Sequence, residues 1–424
     1  MNASDESLMT SPNAAQRPPP AEPVPEAADG SSLEGRMLGR LLARLGNPEL
    51  EFLLWTGERI APAGTDPLCR VRIPSRAVLL SILSDPQVRF PDAYSDGRIE
   101  IEGDLVRLLE TVYRASARAP APMGFSRLLA HLRRPHVNTL AGSRANIHHH
   151  YDIGNPFYQL WLGQTMAYTC AYYPSADTTL DAAQTAKMDH VCRKMRLRAG
   201  ERVVEAGCGW GTLALHMARH YGVKVRAFNI SREQVAYARE RAEREGLAGQ
   251  VEYVQDDYRN ISGRYDAFVS VGMLEHVGVE NYEELGAVVA RSLGDNGRGL
   301  IHSIGRNYPA PLQPWIEKRI FPGAHPPSLG QMMRIFEPWD LSILDVENLR
   351  LHYAQTLRHW LELFEAASAE VERMFDAKFV RMWRMYLAGS IAGFTTGTLQ
   401  LFQVVFATRA NNDVPMTRAH LYTR

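Results

Sequence analysis

Val203-Val204-Glu205-Ala206-Gly207-Cys208-Gly209-Trp210-Gly211 is an apolar run that stops at a glycine-rich turn and opens into TLALHMARHYG (212–222), which carries a helical pattern. Glycines there let the backbone turn sharply from strand to helix and let a ligand approach with no Cβ in the way. The spacing is GxGxG, not the GxGxxG of dinucleotide sites, and an acid, Glu205, stands two residues before the first glycine. The next apolar run, KVRAFN (224–229), ends on Asn229, where a dinucleotide site wants Asp or Glu for a ribose. The turn therefore predicts a nucleoside cofactor that lacks a pyrophosphate. Asn229-Ile230-Ser231-Arg232-Glu233-Gln234 then opens a helix through a Ser-x-x-Gln capping box, and Ser231 is read as that cap.

Working outward, RVVEAG (202–207), KVRAFN, VEYVQDD (251–257), YDAFVSVG (265–272) and GRGLIHSIG (297–305) are short apolar runs with helical segments such as SREQVAYARERAEREG (231–246) between them. This alternation from Leu197 onward predicts an α/β fold with a doubly wound, mainly parallel sheet. Met385–Thr408 carries no charge over 24 residues, yet it holds three glycines, four threonines and two glutamines and ends in LQLFQVVFAT. It reads as a buried helix followed by a core strand rather than a membrane span.

The amino-terminal part reads differently. Residues 1–32 hold six prolines between Pro12 and Pro25, with acids where a signal peptide needs a basic region, and read as a disordered tail. MLGRLLARL (37–45) is a short amphipathic helix, CRVRIPS alternates like a strand, and DAYSDGRIEIEGDLVRLLETVYR gives a turn at Asp96-Gly97, a short strand and a helix beginning near Asp104. Residues 33–114 thus form a small α+β domain. From Thr111 to Tyr151 there are six arginines, five histidines and no acid. Within that stretch FSRLLAHLRRP sets Phe125, Leu128, Leu129 and Leu132 on one helical face beside Arg127, Arg133 and Arg134, so residues 115–145 read as a basic linker helix suited to an anionic lipid surface or to plain solvent. His148, His149 and His150 point different ways with no second ligand set, so no metal site is expected. Lys+Arg and Asp+Glu are both 47 in the 424 residues, which excludes a nucleic-acid binder working through bulk positive charge. Cys69, Cys170, Cys192 and Cys208 form no disulfide framework, and a reducing, cytoplasmic compartment fits them.

With HHYDIGNPFYQLWLG, MAYTCAYYP, VEAGCGWGTLA, NISREQ, DYR, SVGMLEHVGVENY, LIHSIG, PWIEKRIFPGAHPPS and LQLFQVVF, the chain from Leu33 to Arg409 resembles the cyclopropane-fatty-acyl-phospholipid synthases, a branch of the S-adenosylmethionine-dependent methyltransferases. The resemblance implies a Rossmann-like class I methyltransferase sheet with helical insertions over residues 146–409, with 410–424 as a carboxyl-terminal tail. DAYSDGRIEIEGDL looks like the small lipid-associated domain of phospholipid-acting members, which mycolic-acid enzymes generally lack. By the same resemblance S-adenosylmethionine lies over Gly207, Gly209 and Gly211 next to Glu205. Asn229, Ile230 and Gln234 lie near the ribose and adenine, Asp257 and Tyr258 beside the base, and Tyr168 and Thr169 close over the cofactor. Thr or Ser is frequent in relatives around positions 229 and 169, so both are mild departures.

The reaction this implies moves the methyl group onto a cis double bond of a phospholipid acyl chain, leaving a carbocation that loses a proton from the new carbon as the ring closes. An alkene is a poor nucleophile, so alignment in a dry pocket is the main task. A protein carboxylate touching the cation would be alkylated, and in this family bound bicarbonate is the expected base. Cys170, Glu275, His302, Ile304 and Tyr353 occupy the matching positions for its cradle. The spacing agrees: His302 and Ile304 share a strand face, and Glu275 follows AFVSVG at the carboxyl edge where doubly wound sheets bind ligands. Each has a structural reading as well: Glu275 as a helix cap, His302 as a core histidine, Cys170 as a small buried hydrophobe, Tyr353 as helix packing. Ser390 stands where many relatives have a cysteine, so no nucleophilic cysteine acts there. The resemblance also implies a peripheral protein at the inner face of an anionic membrane, and a homodimer, as relatives often are. The alternatives are a fatty-acyl C-methyltransferase leaving a methyl or methylene branch or a furan precursor, a small-amine N-methyltransferase, and a non-catalytic lipid-binding protein.

Overall fold

The structure, a computed structural model that describes residues 32–64, 66–118 and 153–422, builds its first sheet from β1 (Leu50–Leu54), β2 (Arg59–Ile60), β3 (Cys69–Ile73) and β4 (Glu100–Gly103), in the order β2-β1-β3-β4. The alternation in CRVRI is realised as Cys69, Val71 and Ile73 inward, with Arg70 and Arg72 outward on Glu102. Helices Leu33–Arg44, Arg76–Ser84, Pro86–Ser95 and Leu105–Arg118 complete this unit. Two boundaries shift from the sequence reading. Ser32, placed in the tail, is the N-cap of the first helix: its Oγ accepts from the Gly35 N–H at 2.9 Å and its own N–H donates to Glu58. The helix after β4 runs on to Arg118, past the expected linker boundary at 114/115. The tail 1–31, the basic segment carrying Arg127, Arg133 and Arg134, and His148–His150 lie outside the described residues.

The second sheet holds β5 (Arg202–Ala206), β6 (Lys224–Asn229), β7 (Val251–Gln255), β8 (Tyr265–Val271), β9 (Leu293–Gly305), β10 (Leu341–Asn348) and β11 (Gln400–Thr408), in the order β10-β11-β9-β8-β5-β6-β7. The strands from β9 through β8, β5 and β6 to β7 are mutually parallel, and β11 pairs antiparallel with both β9 and β10. Sequence order reverses between β5 and β8, which makes the carboxyl ends of those two strands the crevice where such sheets bind ligands. Helices Leu180–Lys194, Thr212–Tyr221 and Arg232–Arg244 bury one face of the sheet, and Tyr282–Ser292 with Leu329–Phe336 bury the other.

Two elements correct the sequence reading. β10 is absent from it, and β9 begins at Leu293 rather than near 297. LSILDVEN is a half-buried edge strand whose acids look like loop chemistry, but Asp345 pairs with Arg418, and Glu347 accepts from Lys194 at 2.6 Å and pairs with His190 at 2.8 Å. The charge-free stretch divides as expected into a buried helix, Ala377–Thr395, and β11. No helix among the described residues is long and apolar enough to cross a membrane.

The two units share one hydrophobic core, with Leu108, Leu109 and Tyr94 in the same cluster as Trp161, Trp360, Trp383 and Tyr386. Arg381 fixes the seam: its guanidinium lies 4.3 Å over the Tyr94 ring and donates to the carbonyls of Tyr94 (2.5 Å) and Ile99 (2.9 Å). Trp315 and Arg319 both donate to Asp92 across the same boundary.

Candidate active site

The glycine turn is left-handed at Gly207 (φ 83°), Gly209 (φ 52°) and Gly211 (φ 81°). At Gly207 a Cβ would stand 2.8 Å from the Met273 Cβ, and at Gly211 2.4 Å from the Tyr253 hydroxyl, while at Gly209 it would meet nothing within 4 Å. Gly209 therefore faces open space, in a cavity at the carboxyl ends of β5 and β8. Tyr168, Thr169, Glu205, Gly207, Gly209, Asn229, Ile230, Gln234, Asp257 and Tyr258 all line it. Gly211 does not: its carbonyl accepts from the Tyr253 hydroxyl at 2.7 Å, and it serves the turn instead of touching the cavity.

Local hydrogen bonds explain the cavity's shape. Asn229 Nδ2 donates to the Gly209 carbonyl (3.2 Å) and to Gln234 Oε1 (2.8 Å), while its Oδ1 accepts from the Ser231 N–H (3.2 Å). Ser231 caps the helix through the Gln234 N–H, but Gln234 has turned its side chain to Asn229, so only half of the expected capping box forms. Asp257 pairs with Arg259 at 3.1 Å, and that guanidinium lies 4.8 Å over the Tyr258 ring. Tyr168 shares a hydroxyl contact of 2.8 Å with Tyr386 and packs its ring against Tyr158, Trp161 and Trp360. Trp210 Nε1 donates to Asn155 Oδ1 at 2.7 Å, which ties the NPFYQ helix to the glycine turn.

Sequence reasoning missed Lys187. Helix Leu180–Lys194 buries Leu180, Ala183, Gln184, Lys187, Met188 and Val191, a helical stripe on which the lysine takes an inward position. A charge on an otherwise core-facing stripe was the available signal. Lys187 lines the cavity and donates to Thr169 Oγ1 at 2.8 Å, and Gln184 donates to the carbonyls of Ala167 and Thr169, so one helix holds residues 167–169 by three bonds. Burial pushes Lys187 down to about 8 and Glu205 up to about 8, each partly offset by the other's charge. Glu205 Oε2 is buried without a partner. That orphaned oxygen at the cavity floor fits a ligand that brings a cationic donor.

A second group lies beyond β8. Glu275, in a single 3-10 turn (Leu274–His276), accepts at Oε1 from the Ile304 N–H at 2.6 Å, and its Oε2 is buried and unpartnered. Burial pushes this carboxyl up to about 7 against the pull of its own backbone N–H and that of Ile304. His302 lies opposite Gln403 in the β9–β11 register, with Nδ1 and Gln403 Nε2 3.0 Å apart and Nε2 buried without a partner. Burial holds this imidazole well below its usual range, so it is neutral. Cys170 is fully buried with its thiol toward the Ala171 carbonyl (3.1 Å), and burial pushes it up, so it is a thiol and not a thiolate. Tyr353 packs 4.6 Å from the Phe394 ring and 6.0 Å from that of Trp360. Within this group the Ile304 N–H donates directly to Glu275. Lys187 links the group to the cavity, since its charge acts on Cys170, His302 and Glu205 alike.

The arrangement sets a glycine-floored cavity near two buried polar atoms without a hydrogen-bond partner, Glu275 Oε2 and His302 Nε2. A carboxyl near neutral pKa exchanges protons readily at physiological pH.

The sequence profile of the mycolic acid cyclopropane synthetase family matches residues 139–404, and that of a domain of unknown function matches residues 37–119. A probable fatty acid methyltransferase of Pseudomonas putida is 34% identical over 391 residues, which is 88% of this chain and 96% of the relative. The cyclopropane-fatty-acyl-phospholipid synthase of Escherichia coli (strain K12) is 36% identical over 362 residues, 85% of this chain and 93% of the relative. Among solved structures, a mycolic acid cyclopropane synthase complexed with SAH and CTAB is similar with a TM-score of 0.60 at 26% identity, over 62% of this chain and 98% of that one. The chain belongs to the mycolic acid cyclopropane synthetase family and is an S-adenosylmethionine-dependent methyltransferase.

Proposed function

We propose that this enzyme places the methyl carbon of S-adenosylmethionine across the cis double bond of unsaturated phospholipid acyl chains and closes it to a cyclopropane. The observation that carries the reading is the pair of buried, unpartnered atoms, Glu275 Oε2 and His302 Nε2, on the strand end and turn that follow the cavity wall. S-Adenosylmethionine supplies an electrophilic methyl group when bound. Gly207 and Gly209 let the backbone approach it, Glu205 takes its ammonium, Asn229, Ile230 and Gln234 meet its ribose and adenine, and Asp257 and Tyr258 flank the base. Tyr168 and Thr169 close the lid, and the rings of Tyr168, Trp360 and Tyr353 shelter a cationic chain from water. Glu275, His302, the Ile304 backbone, Cys170 and Tyr353 would hold a bicarbonate ion, which supplies a proton acceptor. Glu275 orients that acceptor and keeps the proton it collects.

Lys187→Met is expected to lower SAH affinity by about tenfold or more, because Glu205 loses its partner charge and stays protonated in the dry cavity. The loss should shrink as pH rises and Glu205 ionises, and 5′-methylthioadenosine, which has no ammonium, should bind as before. Titration calorimetry across pH with both ligands checks this; equal losses for both ligands would assign Lys187 to packing alone.

The same proposal has the enzyme act as a peripheral protein at the inner face of the membrane, a reading supported by the acid-free segment from Thr111 to Tyr151. Replacing Arg127, Arg133 and Arg134 with Gln is expected to weaken sedimentation with anionic vesicles, and unchanged binding at low salt would leave that segment a linker. The overall reading is tested by gas chromatography and mass spectrometry of lipids from cells expressing the chain. Acyl chains that gain one CH2 and lose the double bond with a cyclopropane fragmentation pattern support it. A branched chain would move the assignment to fatty-acyl C-methylation, and unchanged lipids would contradict both.

A further inference from the structure

β9 ends at Gly305, and the next residue, Arg306, continues its line as an isolated bridge to Ser328. Positions 302, 304 and 306 fall on one face of an extended chain, so Arg306 follows His302 and Ile304 and lies about 7 Å beyond Ile304 along the chain. Its backbone N–H donates to the Pro327 carbonyl at 2.9 Å, which fixes the position. Its Nε is buried with no hydrogen-bond partner, and the titratable groups acting on it are the phenols of Tyr113 and Tyr308. No described carboxylate acts on this guanidinium, so its charge is taken partly out of water without compensation.

His325 lies two residues before Pro327, the residue whose carbonyl holds the Arg306 backbone. The His325 N–H donates to the Glu275 carbonyl at 2.7 Å, which ties this residue to the turn bearing the reactive carboxyl. Its Nε2 is also buried and unpartnered, and the Arg306 charge is close enough to depress the imidazole. Gln331, Glu280 and Glu317 are its other polar neighbours. Tyr113 belongs to the small unit's helix Leu105–Arg118, and its hydroxyl lies 3.9 Å from where a Cβ at Gly389 would stand. The pair therefore sits at the seam between the two units. Two neighbouring nitrogens are left without acceptors beside the reaction pocket, and an oxyanion satisfies both, the guanidinium being suited to bidentate contact with phosphate or carboxylate.

We propose that Arg306 and His325 anchor the oxyanion at the polar end of the lipid substrate, the phosphate of a phospholipid or the carboxylate of a free fatty acid. The assignment rests on the lipid reading above. An anion held here sits just past the end of the strand that carries His302 and Ile304, so it sets how far the acyl chain reaches toward Glu275.

The test compares Arg306→Gln, Arg306→Lys and His325→Gln with the unsubstituted enzyme on phosphatidylglycerol, free fatty acid and uncharged fatty acid methyl ester, all with the same cis-unsaturated chain in neutral detergent micelles. Arg306→Gln is expected to raise KM about tenfold or more for the anionic substrate that the site takes, the scale of a lost charged hydrogen bond. Expected too are an unchanged kcat, unchanged SAH affinity, unchanged KM for the methyl ester, a smaller rise for Arg306→Lys and a smaller rise for His325→Gln. Whichever anion loses affinity identifies the source of the oxyanion. A KM rise of equal size for the methyl ester, or no rise for either anion, would overturn the anchor. Equilibrium binding of saturated phosphatidylglycerol makes the same comparison without turnover. An enzyme that binds this lipid through Arg306 yet alkylates none of the three substrates would sink the lipid-alkylation reading and leave the anchor standing.

Discussion

Glu275→Gln is expected to end lipid alkylation, leave SAH binding intact and raise thermal stability at about pH 8. Burial lifts the Glu275 carboxyl from 4.5 to about 7. A raised carboxyl binds its proton more tightly in the folded chain than in the unfolded one, so stability falls as pH climbs from about 4.5 through 7. Above that window the buried charge costs on the order of 3 kcal/mol. A glutamine amide in this place would still accept from the Ile304 N–H and would carry no charge, so the variant escapes most of that cost. Its gain in melting temperature should be large at about pH 8 and shrink toward about pH 5. Activity of the unsubstituted enzyme should run the opposite way, rising with pH through about 7 as the carboxyl ionises. Melting curves at both pH values, paired with a product assay, check the two halves together. A variant with normal turnover, or one destabilised at about pH 8, would remove Glu275 from the chemistry.

Gly209→Asn and Gly211→Ala should fail in opposite ways. Asn tolerates the left-handed backbone at φ 52°, and position 209 faces open cavity, so the folded state should lose about 1 kcal/mol or less. The new side chain enters the ligand space, and SAH affinity is expected to fall about 100-fold or more. At position 211 an alanine Cβ would stand 2.4 Å from the Tyr253 hydroxyl at φ 81°. Overpacking and backbone strain should together cost about 2–4 kcal/mol and lower the melting temperature while residual folded protein still binds SAH. Calorimetry with and without SAH separates the cases. The same phenotype for both variants would show that the two glycines share one role.

That contrast marks how far the sequence could be read. The apolar runs around the turn identify strands β5 to β9 in order, because strands buried on both faces leave continuous hydrophobic stretches that need no partner to be seen. Whether a given glycine touches ligand or merely turns the chain depends on Tyr253, which is 42 residues away. β10 escapes notice for a similar reason: the partners that make Glu347 tolerable in a strand, Lys194 and His190, lie more than 150 positions earlier. Burial alone would raise the Glu347 carboxyl, but those two groups hold it at about 2. Beyond β8, the strand that carries His302 and Ile304 was legible from its apolar run. The bond from the Ile304 N–H to Glu275 was not, since it depends on how a 3-10 turn after one strand meets the backbone of the next. Lys187 stays hidden because a lysine in a helix reads as solvated unless its place on the buried stripe is counted.

The hydrogen lost after methyl transfer separates ring closure from a methyl branch, and the carbon skeleton of the product separates it from a methylene branch. Purified enzyme, vesicles of cis-unsaturated phospholipid and S-adenosylmethionine carrying a trideuterated methyl group settle it by mass spectrometry of the released acyl chains. A cyclopropane chain that keeps two of the three deuteriums is the expected result, because the proton lost comes from the transferred carbon. A branched chain keeping all three would contradict the proposed deprotonation pocket and assign the enzyme to acyl methylation.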